Sequence, residues 1–255
     1  ISVLDNVVPH EKRFFDTPLT RYFLSGSDGY VTLCKAVSED LLKLKPDARF
    51  AVLQHPLYSH FGEKEQREAA EAKLGLKSGR RNILFFGLIR DYKGLDILLE
   101  AFGKLSGEYQ LIVAGEPYGS FEKYEKIISD LSNRDDIHLF LKYIKDDEVS
   151  SFFSAADIAV LPYRSATQSG ISSVSYHFEV PMIVTDTGGL KETIGDRGTG
   201  IVADACAPEA IAEEIEEYFS NPETKERCIR NIKSEKDRLS WKNFCAGLLE
   251  FADKL

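Results

Sequence analysis

Short apolar runs separated by helical segments constrain the fold of this chain more than any other feature. The runs are Tyr30–Cys34, Phe50–Leu53, Asn82–Leu88, Gln110–Ala114, Ile137–Leu141, Ile158–Leu161, Met182–Thr185 and Gly200–Ala203. Near-continuous apolar runs of this length are typical of parallel strands that are buried on both faces. Between them, Leu95, Leu98, Leu99, Phe102 and Leu105 recur on one helix face. The pattern predicts an α/β fold, a Rossmann-like parallel sheet flanked by helices, with ligands beyond the carboxyl ends of the strands.

Charge and cysteine content exclude several classes of protein. The net charge is −9, from 32 Lys and Arg against 41 Asp and Glu, which argues against general nucleic-acid binding because that binding relies on neutralising phosphates. The four cysteines form no CxxC pair, so we expect no zinc or other metal site. Their wide spacing favours free, mostly buried thiols in a reducing compartment. No apolar stretch approaches the ~20 residues that span a membrane.

The loop after the third predicted strand has the composition of an anion site. Gly87 closes the strand, Arg90 and Lys93 follow three residues apart, and Gly94 opens a helix. A helix start offers free N–H groups and the positive end of the helix dipole. Arginine adds a bidentate fork and lysine a point charge, which together suit a diphosphate. A solvated basic loop explains the same residues and remains open at this stage.

Two further loops carry weaker signals. The segment Pro162–Ser173 is rich in hydroxyl side chains and precedes a helix, so it suits either a phosphate or sugar site or an ordinary capped loop. The segment Thr187–Glu192 contains paired glycines that let a ligand approach the backbone closely. Glu192 is expected in the first turn of a short helix, where stabilisation of the helix dipole alone would explain a carboxylate.

Taken in order, these segments resemble the retaining, nucleotide-sugar-dependent glycosyltransferases of family 4, which have the GT-B fold of two Rossmann-like domains. The resemblance extends from about Arg81 to Asn221 and rests on ILFFGLIRDYKGLDILLEAF, LIVAGE, IHLFLKYIKDDEVSSFFSAADIAVLPY, the QSGI turn and PMIVTDTGGLKETIGDRGTGIV. It implies that residues 58–239 form the donor-binding domain. Residues 1–57 then close the acceptor-binding domain, and residues 240–255 form a helix that packs back toward that domain.

The resemblance also implies roles for individual residues. Arg90 and Lys93 match the basic pair that holds the donor diphosphate. Gly87 matches the glycine that faces the transferred sugar. Tyr143 and Ile144 fall in the segment that cradles the nucleobase. The remaining donor-binding positions lie in the turn after the strand IAVLP: Thr167, Gln168, Ser169, Gly170 and Ile171.

The chain departs from the family pattern at two glutamates separated by seven residues. Alignment on Gly170 places the pair at Thr167 and Ser175, and alignment on Pro181 places it at Ala166 and Val174, so no alignment supplies an acid. Gln168 or Thr167 can substitute by hydrogen bonding. Glu179 is near in sequence but is expected at the end of the helix.

The first ~60 residues resemble the close of an acceptor-binding domain. Family members often carry HNVxPHE here, and the first histidine contacts donor sugar and acceptor. Asp5 takes that place in this chain, while His10 matches the second half of the pattern and is the remaining candidate catalytic residue. A structural role for His10 stays open. The chain opens on Ile1, and we expect that roughly a hundred residues of this domain precede it.

The sequence thus predicts a retaining hexosyl-type glycosyltransferase that moves a sugar from a nucleoside diphosphate sugar to a glycan or lipid-linked acceptor. Arg90, Lys93 and helix N-termini replace a metal, so no cofactor is expected. Members build polysaccharides and glycolipids, commonly at the cytoplasmic membrane face, so a cytoplasmic location with peripheral membrane contact is compatible with the resemblance. The alternative is a non-catalytic nucleotide-sugar binding module or inactive fragment. A dinucleotide-dependent oxidoreductase is disfavoured, because Gly115 and Gly119 do not form GxGxxG.

Overall fold

The computed structural model describes residues 1–9, 14–58, 60–166 and 169–255. The strands are β1 (Ser2–Leu4), β2 (Tyr30–Thr32), β3 (Phe50–Val52), β4 (Arg81–Phe86), β5 (Tyr109–Ala114), β6 (Ile137–Phe140), β7 (Ile158–Leu161), β8 (Met182–Thr185) and β9 (Gly200–Ala203). The helices are α1 (Asp16–Ser25), α2 (Lys35–Leu44), α3 (Arg67–Leu74), α4 (Leu95–Phe102), α5 (Glu122–Asp130), α6 (Asp146–Ala155), α7 (Gly170–His177), α8 (Pro208–Ser220), α9 (Pro222–Arg238) and α10 (Trp241–Ala252). The predicted α/β class is confirmed.

The larger sheet has the strand order β6-β5-β4-β7-β8-β9, and all of its described pairs are parallel. Consecutive strands therefore run outward in one direction from β4 and in the other direction from β7. This is the doubly wound arrangement, in which the strand order reverses between β4 and β7. The crevice beyond the carboxyl ends of these two strands is where such a sheet binds its ligand.

Alternate residues of the central strands enter two separate cores, one on each face of the sheet. On β4, Leu84 and Phe86 pack with α6 and α7, whereas Ile83 and Phe85 pack with α4 and α8. Both cores are almost fully closed to water, which is why the strands read as continuous apolar runs rather than as alternating ones. The sheet is thus a rigid base that fixes the loops at its carboxyl edge.

A second, smaller parallel sheet has the order β1-β2-β3. Its strands are joined to the larger sheet by two chain crossings, at Leu57 and Leu239, whose backbones meet where the Leu57 N–H donates to the Leu239 carbonyl over 2.9 Å. Beyond the second crossing, α10 lies against the smaller sheet, with Gly247 close to Leu53 and Leu255 close to Gly29. The loops at the carboxyl ends of the two sheets meet across a cleft.

Two sequence expectations need correction. The polar sequence from about Glu63 to Leu74 predicts one long helix, but the helix begins only at Arg67. Residues 63–66 are not helical, and Glu65 accepts hydrogen bonds from Ser150 and Ser151 of α6. All four cysteines are free, but Cys206 and Cys245 are exposed, so the thiols are not mostly buried. Within the described ranges, no helix is long and apolar enough to cross a membrane.

Gly94 tests how tightly the turn after β4 is built. Its φ is +68°, and a Cβ there would collide with the carbonyl of Pro162, which follows β7. We expect Gly94→Ala to lower the free energy of unfolding by about 1 kcal/mol for the left-handed backbone, with roughly 1–3 kcal/mol more for the collision. Gly75→Ala is the matched control, since its φ is +66° and nothing lies within 4 Å of its Cβ position. Equal losses in urea unfolding would contradict the close approach of the two loops.

Candidate functional site

The loops after β4 and β7, which the sequence presents as two separate signals, form one wall. Arg164 donates from its backbone N–H to the Tyr92 carbonyl over 2.7 Å and from Nη1 to the Asp91 carbonyl over 2.8 Å. Its guanidinium also forms a bidentate pair with Asp96 at 2.9 and 2.8 Å. These bonds hold the basic loop against the segment that leads to α7. The two loops therefore form a single site at the switch point.

Lys93 is the electrostatic centre of this wall. Its ammonium lies 5.8 Å from the ring centroid of buried Tyr163, and a Cβ placed on Gly87 would lie 3.3 Å from Nζ. Among the residues that the structure describes, Lys93 forms no salt bridge. Burial lowers its pKa to about 8, and the positive charge of Arg90 contributes to the shift. A bound anion would stabilise the charge of a largely buried cation that, like Lys93, has no salt bridge within the described ranges.

Arg90 lies beside Lys93 at the mouth of the site. Its guanidinium lies over the ring of Tyr118, with 4.0 Å between Cζ and the ring centroid. The carboxyl end of β4 continues through Leu88 and Ile89 to this position, and Ile89 pairs with Pro117 after β5. The basic pair predicted from the sequence is thus brought together, with its charge concentrated next to the N-terminus of α4.

The turn before α7 closes the opposite side. Ser169 is the N-cap of α7, and its Oγ accepts a hydrogen bond from the Ile171 N–H over 3.3 Å. The same Oγ lies 3.3 Å from the hydroxyl of Tyr163. Ile171 Cδ1 would lie 3.1 Å from a Cβ on Gly87, so only a glycine leaves room there. The structure therefore gathers Gly87, Lys93, Ser169 and Ile171 around one small space.

The other predicted residues are distributed differently. Tyr143 is 67% exposed in the loop after β6, whereas Ile144 is buried in the core beneath the sheet, so its side chain cannot face a nucleobase. Gly170 begins α7 and lies against Tyr58. Tyr58 belongs to the linker, the segment between β3 and α3 that joins the two sheets. His10, Thr167 and Gln168 lie outside the described residues.

The described positions that replace the family glutamates are Ala166 and Val174 in one alignment and Ser175 in the other, and all three are buried. Val174 packs into the core under α7. Ser175 is fully buried, and its Oγ has no hydrogen-bond partner among the residues that the structure describes. Glu179 follows the end of α7 with φ of +58° and forms salt bridges with Lys233 and Lys236 of α9. No carboxylate from these positions reaches the site.

Glu192 has a partner that the sequence did not indicate. Its segment, Lys191–Gly195, is a π-helical turn after β8, and Glu192 Oε2 accepts a hydrogen bond from the Lys35 N–H over 3.1 Å. Lys35 is the first residue of α2. A carboxylate of the larger unit thus caps a helix of the smaller one and links the two across the cleft.

Sequence analysis missed Tyr58 as part of the site, and it included Tyr163 and Arg164 only as members of the candidate segment Pro162–Ser173. Tyr163 and Arg164 directly follow β7, where a doubly wound sheet places its ligand contacts, so their position was an available signal. Tyr58 gave no such signal because it lies in the linker, more than a hundred residues from the turn that it contacts.

Comparison with solved structures identifies the class of this architecture. Two parallel α/β sheets flanked by helices are the arrangement of the GT-B fold. The Anabaena protein HepE, solved in complex with UDP, matches with a TM-score of 0.85 at 13% identity, covering 99% of this chain and 71% of HepE. A HepE structure in complex with UDP-glucose matches with a TM-score of 0.83.

Residues 66–235 match the family model of the group 1 glycosyl transferases, and the chain belongs to that family. It is similar to D-inositol 3-phosphate glycosyltransferase of Corynebacterium urealyticum, at 23% identity over 74% of this chain and 46% of that protein. It is also similar to an uncharacterized glycosyltransferase of Methanocaldococcus jannaschii, at 29% identity over 68% of this chain and 48% of that protein. The chain spans about half the length of these curated relatives.

Lys93→Met should stabilise the folded chain at pH 7, because it removes a largely buried charge that has no salt bridge within the described ranges. We expect a gain of about 1–3 kcal/mol in the free energy of unfolding. The folded-state pKa of about 8 lies below the ordinary 10.5. Below pH 8, the buried charge therefore lowers the free energy of unfolding of the wild-type chain by its full amount. As pH rises from 8 toward 10.5, the difference in free energy of unfolding between the variant and the wild type shrinks.

The measurement is denaturant unfolding at pH 7 and pH 9.5. Lys104→Met is the control, because Lys104 forms an exposed ion pair with Glu209 and its loss should change stability by less than about 0.5 kcal/mol. Two results would contradict the interpretation that Lys93 carries an uncompensated buried charge. One is a Lys93→Met protein less stable than the wild type, and the other is a stability difference that does not become smaller at pH 9.5.

Proposed function

We propose that this chain binds a nucleoside diphosphate sugar at the β4–β7 switch point, as a retaining glycosyltransferase of family 4 does. The observation that carries the proposal is the Lys93 ammonium, which is largely buried, has no salt bridge among the described residues and lies beside Arg90. A diphosphate would supply negative charge to Lys93 and to the N-terminus of α4, with Arg90 beside it. The space between Gly87 and the Ser169 turn would then receive the sugar.

In the proposed reaction, the bond between the anomeric carbon and the diphosphate breaks with retention, and negative charge grows on the leaving diphosphate. Lys93 and Arg90 would stabilise this charge in place, without a metal or cofactor. Preorganised charges of this kind usually provide the largest single catalytic contribution. The acceptor is proposed to be a glycan or a lipid-linked sugar, reached through the cleft at the cytoplasmic face of a membrane.

A nucleotide-sugar binding module without turnover is the second candidate. The observation that favours it is the absence of a carboxylate at the positions of the family glutamates, where Ala166 and Val174 are buried apolar residues. A module of this kind would use the same cations for affinity alone. Turnover therefore distinguishes the candidates, whereas binding does not.

Nucleotide binding should depend on the protonation of Lys93. We expect the affinity for UDP to fall as pH rises through about 8, because the neutral amine no longer compensates the diphosphate. Lys93→Met should weaken binding at pH 7 by about 10- to 100-fold, the effect of one charged hydrogen bond. Isothermal titration calorimetry measures both effects, with Lys104→Met as the control that keeps wild-type affinity. Unchanged affinity in Lys93→Met would refute the diphosphate site.

A glycosyltransferase should react slowly with its donor even when no acceptor is present. We expect the chain to release UDP slowly from UDP-glucose, and we expect Lys93→Met to reduce that release by about a hundredfold or more. Time-resolved chromatography of the nucleotide products measures the rate. Tight binding of UDP-glucose with no release by either protein would favour the binding module over the enzyme.

A further inference from the structure

The linker between the two sheets touches the turn that begins α7. A Cβ placed on Gly170 would lie 3.6 Å from both Cε2 and the hydroxyl of Tyr58. The Tyr58 ring is partly buried and packs edge-on against Phe61, with 5.9 Å between the ring centroids. Its phenol oxygen is thereby held next to the turn that we propose to face the sugar.

His55 determines which way the Tyr58 hydroxyl points. His55 Nδ1 lies 2.6 Å from the carbonyl oxygen of Pro56, and a carbonyl can only accept, so Nδ1 carries the ring proton. In the neutral ring Nε2 is then an acceptor, and it lies 3.1 Å from the Tyr58 hydroxyl. The phenol therefore donates its proton to His55, and the lone pairs of its oxygen remain for another donor.

The Tyr58 hydroxyl keeps that proton over the working pH range. Burial raises the pKa of the Tyr58 phenol above its ordinary value, and the negative charge of Asp5 adds to the shift. Asp5 follows β1 of the smaller sheet, so the phenol lies where groups of both units act on it. The phenol therefore keeps the proton that it donates in the hydrogen bond to Nε2 of the neutral His55 ring.

Sugar hydroxyls need acceptors, and the usual ones are missing from this site. Carboxylates are strong acceptors for hydroxyl groups, yet the described positions of the family pair hold Ala166 and Val174 in one alignment and Ser175 in the other. We propose that Tyr58 of the linker accepts a hydrogen bond from a hydroxyl of the transferred sugar, with His55 as the positioning residue. This inference rests on the proposed function, since it assigns a contact within the same site.

The inference separates sugar recognition from nucleotide recognition. Tyr58 should contribute to the affinity for a sugar nucleotide and contribute nothing to the affinity for the nucleotide alone. Lys93, by contrast, should contribute to both. The quantity to measure is therefore the ratio of the dissociation constant of a nucleoside diphosphate to that of its sugar conjugate.

Tyr58→Phe removes one oxygen and keeps the ring. Calorimetry uses whichever pair binds most tightly among UDP and UDP-glucose, GDP and GDP-mannose, or ADP and ADP-glucose. We expect Tyr58→Phe to weaken binding of the sugar nucleotide by about three- to tenfold, the effect of one neutral hydrogen bond, with unchanged binding of the nucleotide. Tyr22→Phe, at an 81% exposed tyrosine of α1, is the matched control, and wild-type melting temperatures establish that both variants fold.

A double-mutant cycle tests the role of His55. His55→Phe should lower the same ratio by a smaller factor, and it should have no further effect in the Tyr58→Phe protein, because it acts through the phenol. Additive effects of the two changes would overturn the positioning role. Equal weakening of nucleotide and sugar nucleotide by Tyr58→Phe, or no weakening of either, would overturn the sugar contact while leaving the diphosphate site intact. Binding of no pair at all would overturn the proposed function and the inference together.

Discussion

The gap at the switch point depends on the short pairing between β4 and β7. β4 pairs with β5 through six residues, from Arg81 to Phe86, but with β7 only through Ile83 and Leu84. Beyond Leu84 the two strands separate, because the chain leaves them toward opposite ends of the sheet. The gap that opens is the switch point, and every group of the proposed donor site is attached to its rim. A sheet in simple sequential order would have no such gap.

Two cations at this rim differ in whether their charge is balanced by neighbouring groups. Arg164 is fully compensated by Asp96 and by the carbonyl of Asp91, so its charge serves to join two loops. Lys93 is more buried and has no salt bridge among the described residues, so its charge remains available to a ligand. The difference follows from placement: α4 directs Asp96 at Arg164 and leaves no acid facing Lys93. In the proposed site, Lys93 would lower the stability of the folded chain and raise the affinity for the ligand, a combination that is typical of functional sites.

The smaller sheet affects the site although it is far from it in sequence. Glu192 of the larger unit caps α2, and Asp5 raises the pKa of Tyr58 in the linker. The linker itself lies between the sheets and is bonded to the second crossing at Leu239. Under the proposed function, recognition of the sugar would therefore involve the linker between the two units, through Tyr58, as well as the units themselves.

The sequence by itself determined the strands from β2 onward, their parallel direction and the basic pair at Arg90 and Lys93, because burial on both faces and helix starts leave local patterns in composition. It placed β7, β8 and β9 with the bounds that the structure has. Only the tertiary structure decided which loops meet, since the pairing of β4 with β7 crosses more than seventy residues. Only the tertiary structure shows that Glu192 caps α2 and that Tyr58 lies against Gly170. It also showed that Ile144 points into the core, because the direction of a loop side chain depends on packing that no local pattern encodes.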